Sequence, residues 1–567
     1  MPQDAFTLRY LATELNSVFK GGKVNRIIQP DSDEMVFTVY TGKRTEKLLL
    51  SVNPAAPRIG VLSGEKDSPL TAPNFCMLMR KHLLSSTILS VELIGFDRIV
   101  KIDFLSSAEF SDSVVKSVYV ELMGRYSNII LTENGKILGG NRGINMFDNG
   151  VRPLIVGKPY VFPPVGNKKL PDDNSLAETF DGVNSDMLAN AICINVQGIA
   201  TSTANEIVNG YFKDCRAKDV ADGKEFCKFL NEYLYNATIS PCVSIVDGEV
   251  KDVMVYPYGG VEGDIKAFDK LYLAEEYYYS ELDKIKKFKS KKERLNSLVS
   301  TAIKKVKKRL TAIKSKEKDA EGAEENRIKG ELILSNIYRI KGGEKSIKLE
   351  NYYDGSEMTV ELDERLSPSK NAENYYKKYN KQKRTLTALK PQREQAEKEL
   401  DYYLSVLDEI SLSEVIGDLN LVQAEIETAG LIVDRKAVVK KKTLETFYRE
   451  YAVYGYRVKA GRNNAENDKL TFTAKPDDVW VHAKNYHSSH VLIEAQGKTV
   501  PESVILIASE ICAYYSKGRD GGKTEIAYTL KKNVKKPPKS KPGFVTYDDY
   551  ESVTVNPDKH AEFLKCD

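Results

Sequence analysis

The amino-acid sequence predicts an α+β protein of several domains whose middle is a long helical arm. The chain has 567 residues, more than one domain usually holds, and 41% of them are hydrophobic and 29% charged. Short apolar runs typical of strands occupy the first and last parts of the chain, whereas apolar residues recur at steps of three and four between them. The length and these two periodicities predict N-terminal and C-terminal domains around a helical middle.

Residues 1–172 are predicted to form the N-terminal α+β domain. Leucines on one helical face predict a helix over Thr7–Phe19, and a second helix is expected over Asn74–Leu84. The strand-like segments are Val24–Gln29, Met35–Tyr40, Lys47–Val52, Leu89–Phe96, Ile99–Phe104, Val114–Met123 and Asn128–Thr132. The polar, proline-rich stretch Pro163–Asn174 closes the domain.

Residues 175–240 are predicted to be helical, and residues 241–273 to form connecting strands that rejoin the first domain. Val196–Val208 is typical of a helix-hairpin-helix with Gly198 at its turn. Such a turn can offer backbone N–H groups to phosphates. Because Ala200 stands where a second turn glycine is common, the pattern fits phosphate binding and a purely structural role equally well.

Residues 274–432 are predicted to form a long antiparallel coiled coil with a strand-forming tip at Gly342–Leu362. The apolar residues that predict its two arms are Leu295, Val299, Ala302, Val306, Leu310 and Ile313, and Leu386, Leu389, Ala396, Leu400, Tyr403, Leu407 and Ile410. Forty helical residues span about 60 Å, a length that favours a lever or a bridge over part of a catalytic core.

Residues 440–567 are predicted to form the C-terminal α/β domain. Strands are expected around Phe447–Ala460 and Asp478–His482, and a helix near Pro501–Tyr515. The chain then enters a stretch rich in lysine and proline.

The charge distribution is more informative than the net charge. Lysine and arginine (84) nearly balance aspartate and glutamate (80), which leaves a net charge of +4. Residues 284–309 nevertheless carry twelve basic side chains and one acid, and Lys531–Lys541 carries six lysines and no acid. Such basic blocks are typical of proteins that bind the phosphate backbone of a nucleic acid, although a solvated helix face explains one block equally well.

The sequence predicts a soluble, cytoplasmic protein without disulfides. Its seven cysteines are scattered and never spaced as CxxC. The N-terminus, MPQDAFTLRYLATEL, lacks the apolar core of a secretory signal, and no apolar run approaches the roughly 20 residues of a membrane span. No contact with a membrane is therefore expected.

Motifs of covalent catalysis are absent from the sequence, so neither a catalytic residue nor a cofactor is predicted. No phosphate loop, zinc-protease, serine-hydrolase or kinase motif occurs. His482, His487 and His490 follow the spacing H-x4-H-x2-H, but hydrogen-bonding histidines explain them better than a metal, because no cysteine or fourth ligand lies nearby. With Trp480 and Lys484, His482 and His490 could instead contact a base or a ribose.

Two polar stretches of the N-terminal domain are candidate binding sites. IGFDRIV, residues 94–100, sets Asp97 beside Arg98 in an apolar run. Each charge could have its own structural partner, the pair could mark the end of a strand, or one face could contact a ligand. VELMGRYSNIILT, residues 120–132, places Glu121, Arg125, Ser127 and Asn128 around a glycine between two strands, which favours recognition, with Arg125 suited to a phosphate.

Several motifs together resemble the NFACT family. FCMLMRKHL (residues 75–83, including Arg80 and Lys81), GFDRIV and ELMGRYSNIIL are similar to the N-terminal signature of the family. DVWVHAKNYHSSHVLI and KPGFVTYDDYESVTVNP are similar to its C-terminal NFACT-R signature. The motifs occur in the family's order over nearly the whole chain, which ends soon after NFACT-R as in the bacterial branch.

The resemblance implies a ribosome quality-control factor with an NFACT-N domain similar in fold to formamidopyrimidine-DNA glycosylases. Such proteins bind a large (50S) ribosomal subunit that is obstructed by peptidyl-tRNA. They recruit charged tRNA, chiefly alanyl-tRNA in bacteria, for C-terminal tailing without mRNA. A small S4-domain protein is a further expected partner. The resemblance also implies that the pair matching Asp97 and Arg98 contacts tRNA, which favours a ligand face there.

Two other functions are alternatives. A surface adhesin that binds fibronectin would need a route out of the cell, for which the sequence offers no signal. A DNA glycosylase would use the amine of Pro2, but Gln3 stands in the place of the glycosylase glutamate and the four-cysteine zinc finger is missing. Within NFACT-R, the family's Pro-Gly-Ser-His turn is replaced here by residues 487–490, His-Ser-Ser-His.

Overall fold

The computed structural model describes residues 3–66, 68–108, 111–142, 152, 154–213, 219–430, 448–538 and 540–557. Pro2, the end of the predicted coiled coil at 431–432, the strand start at Phe447 and the last ten residues lie outside the described residues. The chain forms two units, Met1–Lys284 and Ile285–Asp567. The predicted α+β architecture with a long helical middle is confirmed.

One antiparallel sheet organises the first unit. Its strands are β1 Lys23–Asp31, β2 Glu34–Tyr40, β3 Thr45–Ser51, β4 Arg58–Val61, β5 Thr87–Leu93, β6 Ile99–Ala108, β7 Ser111–Glu121, β8 Asn128–Glu133 and β9 Lys136–Gly140. They lie in the order β4-β3-β2-β1-β5-β6-β7-β8-β9. The short β4 and the glycine-ended β9 were not predicted, because neither has enough alternating residues to show a period of two.

Helices α1 (Ala5–Phe19) and α2 (Asn74–Leu83) pack against this sheet. The Asp4 carboxylate accepts a hydrogen bond from the Thr7 N–H at 3.0 Å, so α1 begins two residues before the predicted start. Leu8, Leu11 and Leu15 are fully buried, as their shared helical face predicts.

A helical part and a small sheet complete the first unit. They consist of α3 Leu176–Phe180, α4 Ser185–Asn195, α5 Thr201–Phe212, α6 Gly223–Asn236, β10 Cys242–Val246, β11 Glu249–Met254 and β12 Asp264–Ala267. The last three strands form their own sheet, in the order β11-β10-β12, and do not extend the first one.

The turn between α4 and α5 faces the N-terminal helix. Gly198 has a left-handed φ of 76°, and its carbonyl accepts the Ala5 N–H at 2.8 Å. The Ala200 N–H, which the sequence left open for a phosphate, donates to the Asp4 carboxylate at 3.0 Å. At this N–H the turn therefore has a structural role, because a carboxylate of the same chain takes the place of a phosphate.

Helix α7 (Leu271–Ala320) begins in the first unit and buries a carboxyl group there. Glu275 is 2% exposed; one of its oxygens accepts a hydrogen bond from the Gln3 amide, and the other has no partner within the described residues. Burial raises the pKa of Glu275 to about 8, although the Gln3 hydrogen bond and the Arg58 charge oppose the rise.

Replacing Glu275 with glutamine is therefore expected to stabilise the protein, and more so at pH 8 than at pH 5. Between the pKa of an unfolded glutamate, about 4.3, and the folded pKa of about 8, the folded chain keeps a proton that the unfolded chain has released. The free energy of unfolding of the unsubstituted chain therefore falls as pH rises, by up to about 1.4 kcal/mol per pH unit. Urea denaturation of both proteins at pH 5, 7 and 8 checks this. A stability difference that is constant over this range would contradict it.

Two long helices of the second unit run antiparallel, as predicted. They are the rest of α7 and α9 (Pro368–Leu412), and between them lie α8 Ala323–Ser335, β13 Ser346–Glu350 and β14 Glu357–Glu361. Lys292 donates to the Ser411 carbonyl at 2.7 Å, whereas Arg393 lies 3.3 Å from Glu317, so the pairing runs in opposite directions along the two helices. The 45 residues of α9 span about 68 Å.

The C-terminal domain combines an antiparallel sheet with helices. Helix α10 (Ile416–Thr428) precedes it and packs on the two long helices. The elements of the domain are β15 Arg449–Val453, β16 Tyr456–Ala460, α11 Asn464–Thr473, β17 Val479–Ala483, β18 Val491–Ile493, α12 Glu502–Tyr514, β19 Thr524–Leu530, β20 Val534–Lys535, β21 Thr546–Tyr547 and β22 Glu551–Val555. The main sheet has the order β15-β16-β18-β17-β19-β22, while β20 pairs with β21. Helix α12 packs against the main sheet and buries Val504, Ala508 and Ile511.

Candidate nucleic-acid interface

Asp97 and Arg98 lie in the turn that joins β5 to β6. The predicted strand Leu89–Phe96 was too long: β5 ends at Leu93, because Gly95 takes a left-handed φ of 59°. The Asp97 carboxylate accepts the Arg98 N–H at 2.7 Å, and both side chains are half-buried. The pair therefore lies where a strand ends, and contact of its side chains with a ligand stays a prediction.

The turn is anchored by Phe96, which is 2% exposed. Its ring meets the Tyr235 ring edge-on, with centroids 5.6 Å apart. A Cβ on Gly198 would overlap with the Phe96 carbonyl oxygen and the Ala5 Cβ, so the α4–α5 turn closely approaches the backbone that precedes Asp97. The helical part therefore packs against the backbone of this turn.

The turn between β7 and β8 lies at the same end of the sheet. The Leu122 N–H donates to the Arg98 carbonyl at 2.9 Å, which joins the two turns directly. Arg125 is exposed, with its guanidinium 4.7 Å from the Tyr126 ring centroid. The structure therefore brings Asp97, Arg98 and Arg125 to one end of one sheet.

The carboxylate of Glu121, at the end of β7, forms hydrogen bonds with other residues of the chain. Its side chain is 3% exposed, and Arg152 donates to both carboxylate oxygens, at 2.6 and 3.1 Å. The Tyr160 hydroxyl donates to the same carboxylate at 2.7 Å, and burial raises the pKa of Tyr160. Three hydrogen bonds from within the chain therefore hold Glu121, and its contact with tRNA stays a prediction.

Ser127 and Asn128 are both buried next to this turn. The Asn128 side-chain oxygen accepts the N–H groups of Ile129 at 2.9 Å and Arg142 at 3.0 Å, so it fixes the local backbone. The Ser127 hydroxyl has no hydrogen-bond partner within the described residues.

Glu121→Gln is expected to lower the free energy of unfolding by about 2 kcal/mol, because the Arg152 guanidinium loses its charged partner in a buried site. Ser127→Ala, a matched change a few residues away, is expected to be nearly neutral, since the hydroxyl forms no bond within the described chain. Urea denaturation measures both effects. If both substitutions changed the free energy of unfolding equally, the ion pair of Glu121 with Arg152 would make no specific contribution to stability.

Arg80 and Lys81 lie on α2, and they differ in whether the side chain is free to contact RNA. The Arg80 Nε donates to the Ile27 carbonyl of β1 at 2.7 Å, so this side chain is tied to the sheet. Lys81 is exposed and can approach a phosphate without breaking a contact of the fold.

In the C-terminal domain, Trp480 is fully buried, so it has no face available for stacking on a base. It stacks on His482, with centroids 5.4 Å apart and planes 6° apart, and meets the His490 ring edge-on. His490 is 1% exposed, and its Nδ1 lies 2.8 Å from the Thr471 hydroxyl. Lys484 is partly exposed and pairs with Glu525 at 2.8 Å. Trp480 and His490 thus lie in the domain interior, whereas His482 is partly exposed and Lys484 lies at the surface.

The altered turn at 487–490 is fixed by its serine side chains. The Ser488 hydroxyl accepts the Ala483 N–H at 3.0 Å, and the Ser489 hydroxyl donates to the Gly461 carbonyl at 2.6 Å. Among the described residues, no group of three or more His, Cys, Asp or Glu side chains is arranged to hold a metal. In the same part of the chain, no helix has the length and apolar character needed to cross a bilayer.

The chain thus combines charged turns at one end of a sheet with a long helical arm and a C-terminal domain of sheet and helices. The family model described as NFACT N-terminal and middle domains matches residues 4–445, and the model described as NFACT protein RNA binding domain matches residues 446–548. The chain therefore belongs to the NFACT family, as its motifs predicted.

Relatives match along nearly the whole chain. The Rqc2 homolog RqcH of Bacillus subtilis (strain 168) is 30% identical over 564 residues, covering 96% of each chain. The Rqc2 homolog RqcH of Streptococcus suis (strain 05ZYH33) is 29% identical and covers 98% of each. Among solved structures, the N-terminal part of the fibronectin/fibrinogen-binding protein from Streptococcus suis is 25% identical, with a TM-score of 0.42, and covers 49% of this chain and 98% of that one.

Proposed function

We propose that this chain is a ribosome quality-control factor. It binds the large (50S) ribosomal subunit obstructed by peptidyl-tRNA and recruits alanyl-tRNA, so that the stalled chain receives a C-terminal alanine tail without mRNA and is marked for degradation. The observation that carries the proposal is the similarity to Rqc2 homologs over 96% of both chains, which spans the charged turns, the arm and the RNA-binding domain alike.

The chain acts as an adaptor, and the peptidyl-transferase centre of the ribosome forms the peptide bonds. Asp97, Arg98 and Arg125 contact tRNA at the end of the sheet. Glu121, Ser127 and Asn128 lie behind them and hold the second turn. This division of roles follows exposure, since the first three are half-buried or exposed and the others are buried.

Basic side chains elsewhere provide affinity for ribosomal RNA. Residues 284–309 carry twelve lysines and arginines, and Lys81 and Lys484 add further charge to two other surfaces. In the C-terminal domain, the buried Trp480 and His490 support these surfaces, and the partly exposed His482 can contact RNA. Binding by such contacts weakens steeply as the salt concentration rises, because counterions released into a more concentrated solution gain less entropy.

The proposed setting is the cytoplasm, where the arm bridges parts of the large subunit and a small S4-domain protein assists movement of the tRNA. Affinity purification of the tagged protein from cells, with sequencing of the RNA that accompanies it, tests the proposal. Large-subunit rRNA without small-subunit rRNA, together with one enriched tRNA, is the expected result. Both rRNAs in equal amounts, or no rRNA, would contradict it.

A further inference from the structure

The lysine- and proline-rich segment of the C-terminal domain lies against helix α11. The Asp468 carboxylate of this helix accepts hydrogen bonds from the Lys536 ammonium group and from the Gly543 N–H, the second at 3.0 Å. A Cβ on Gly543, whose φ is 78°, would overlap with the Asn464 side chain one turn earlier on α11. One face of the helix therefore holds Lys536 and Gly543 close together.

Two phenylalanine rings are exposed at this contact. Phe472, one helical turn after Asp468, is 38% exposed, and Phe544, which follows Gly543, is 49% exposed. Exposed apolar side chains that are scattered singly are ordinary, whereas two exposed rings beside one helix indicate an interaction surface.

Lysine side chains flank both rings. The Lys531 and Lys536 ammonium groups lie 5.8 and 6.0 Å from the Phe472 ring centroid. Phe544 donates its N–H to the Lys541 carbonyl at 3.3 Å, so a turn brings a third lysine beside the second ring. Lys531 and Lys541 form no ion pair in the part of the chain that the structure describes, so their charges are available to an anion.

Aromatic rings beside ammonium groups suit a nucleic acid whose bases are unpaired. A base in a duplex already stacks on its neighbours, so a ring on a protein surface stacks on a base that has left the duplex. Ammonium groups contact the phosphates of the same strand. The match to the NFACT protein RNA binding domain covers both rings and all three lysines, which favours RNA over a protein partner.

We propose that a strand of unpaired RNA binds to the lysine–phenylalanine surface, which consists of Phe472, Lys531, Lys536, Lys541 and Phe544. Its bases stack on the two rings, and its phosphates contact the lysines. Little base preference is expected, since every base has a face that can stack. The inference rests on the proposed function only for the source of the strand, which is ribosomal RNA or tRNA.

The test measures binding of labelled RNA to the full-length protein by fluorescence anisotropy. The probes are a single-stranded dodecamer of mixed sequence and the duplex of that dodecamer with its complement. Phe472→Ala combined with Phe544→Ala is expected to weaken binding of the single strand about 100-fold, since each lost stacking contact costs about a factor of ten, and to change duplex binding by less than about twofold. An unchanged affinity for the single strand, or an equal loss for both probes, would overturn the proposal.

The control for this double variant is Tyr454→Ala. Tyr454 is 66% exposed in the same domain and lies outside the lysine–phenylalanine surface, so this variant should bind both probes as the unsubstituted chain does. A loss of single-strand binding in the control as large as in the double variant would overturn the proposal.

Two further variants separate stacking from the burial of apolar surface. Phe472→Leu with Phe544→Leu keeps apolar side chains but removes the aromatic faces, and it is expected to weaken single-strand binding about tenfold or more. Phe472→Trp with Phe544→Trp keeps the stacking and should bind at least as tightly as the unsubstituted chain. Leucine variants that bind as tightly as the unsubstituted chain would overturn the proposal.

The salt dependence of binding tests the lysines. Each phosphate contact with a single strand contributes about 0.7 to the slope of the logarithm of the binding constant against the logarithm of the salt concentration, so Lys531→Ala with Lys541→Ala should reduce this slope by about 1.4. Lys498→Ala with Lys523→Ala removes two exposed lysines elsewhere in the domain and should leave the slope unchanged. Equal slopes for the two lysine variants would overturn the phosphate contacts.

Crosslinking in cells, followed by sequencing, identifies the source of the strand. Crosslinks that the double alanine variant loses in large-subunit rRNA or in tRNA name that RNA as the source, and an unchanged pattern would overturn the proposal. Absence of large-subunit rRNA from the unsubstituted protein would disprove the proposed function. If this rRNA is present but the alanine variant binds the single strand normally, only the lysine–phenylalanine surface is disproved.

Discussion

Replacing Asp97 and Arg98 together with alanine is expected to reduce alanine tailing at least about 100-fold while large-subunit binding is retained. Each charged contact with tRNA contributes about 1.5–3 kcal/mol, so the loss of two exceeds a factor of 100. The fold should tolerate the change, because Phe96 anchors the turn and Leu122 bonds the Arg98 backbone carbonyl, both of which remain. Tailing in a reconstituted extract and cosedimentation with large subunits measure the two activities.

The matched control for this variant is Glu178→Ala with Lys224→Ala. Both side chains are exposed in the helical part of the same unit, and this change likewise removes one charge of each sign. The control should tail normally. The proposal assigns tRNA contact to the turns at the end of the sheet and subunit binding to the basic surfaces. If the Asp97 and Arg98 variant lost subunit binding as well as tailing, this assignment would be wrong.

Gly198→Ala is expected to lower the free energy of unfolding by about 4 kcal/mol and to impair tailing in the folded fraction. A left-handed φ costs a residue with a Cβ about 1–2 kcal/mol, and forcing a methyl group into a packed site costs about 1–3 kcal/mol more. The atoms in its way are the Ala5 Cβ and the Phe96 carbonyl oxygen, so relief of the overlap moves the turn that carries Asp97. Urea denaturation gives the stability change.

Gly182→Ala isolates the backbone contribution. Gly182 also has a left-handed φ, 70°, but no atom lies within 4 Å of its added Cβ. This variant should lose only about 1–2 kcal/mol and tail normally. Similar losses at both glycines would show that the close approach at Gly198 has no energetic consequence.

Features set by neighbouring residues were predictable from the sequence. Leu8, Leu11 and Leu15 predicted α1, and the apolar steps from Leu295 to Ile410 predicted two long helices, because helical periodicity is local. The glycine-rich tip likewise formed the predicted strands, β13 and β14. The family motifs predicted NFACT membership, which the match over residues 4–548 confirms.

Features that depend on distant partners were not predictable. Nothing near Glu121 in sequence indicates that Arg152, 31 residues away, occupies its carboxylate. Trp480 was a candidate for base stacking because an exposed and a buried tryptophan have the same local pattern, yet its exposed fraction is 0%. The lysine–phenylalanine surface was missed for the same reason, since Phe472 lies far from Lys531 and Lys536 in the chain. The roles of the predicted site residues in RNA binding stay predictions.

The hydrogen bonds of the first residues have a consequence for biosynthesis. Asp4 bonds to Ala200, 196 residues later, and Gln3 bonds to Glu275, 272 residues later. A chain made from its N-terminus therefore holds the strands of the first sheet well before it holds the groups that complete their packing. A synthesis product that ends before Ala200 has Asp97 and Arg98 but lacks the complete α4–α5 turn that packs against them, so this end of the sheet is completed only once that turn has been synthesised.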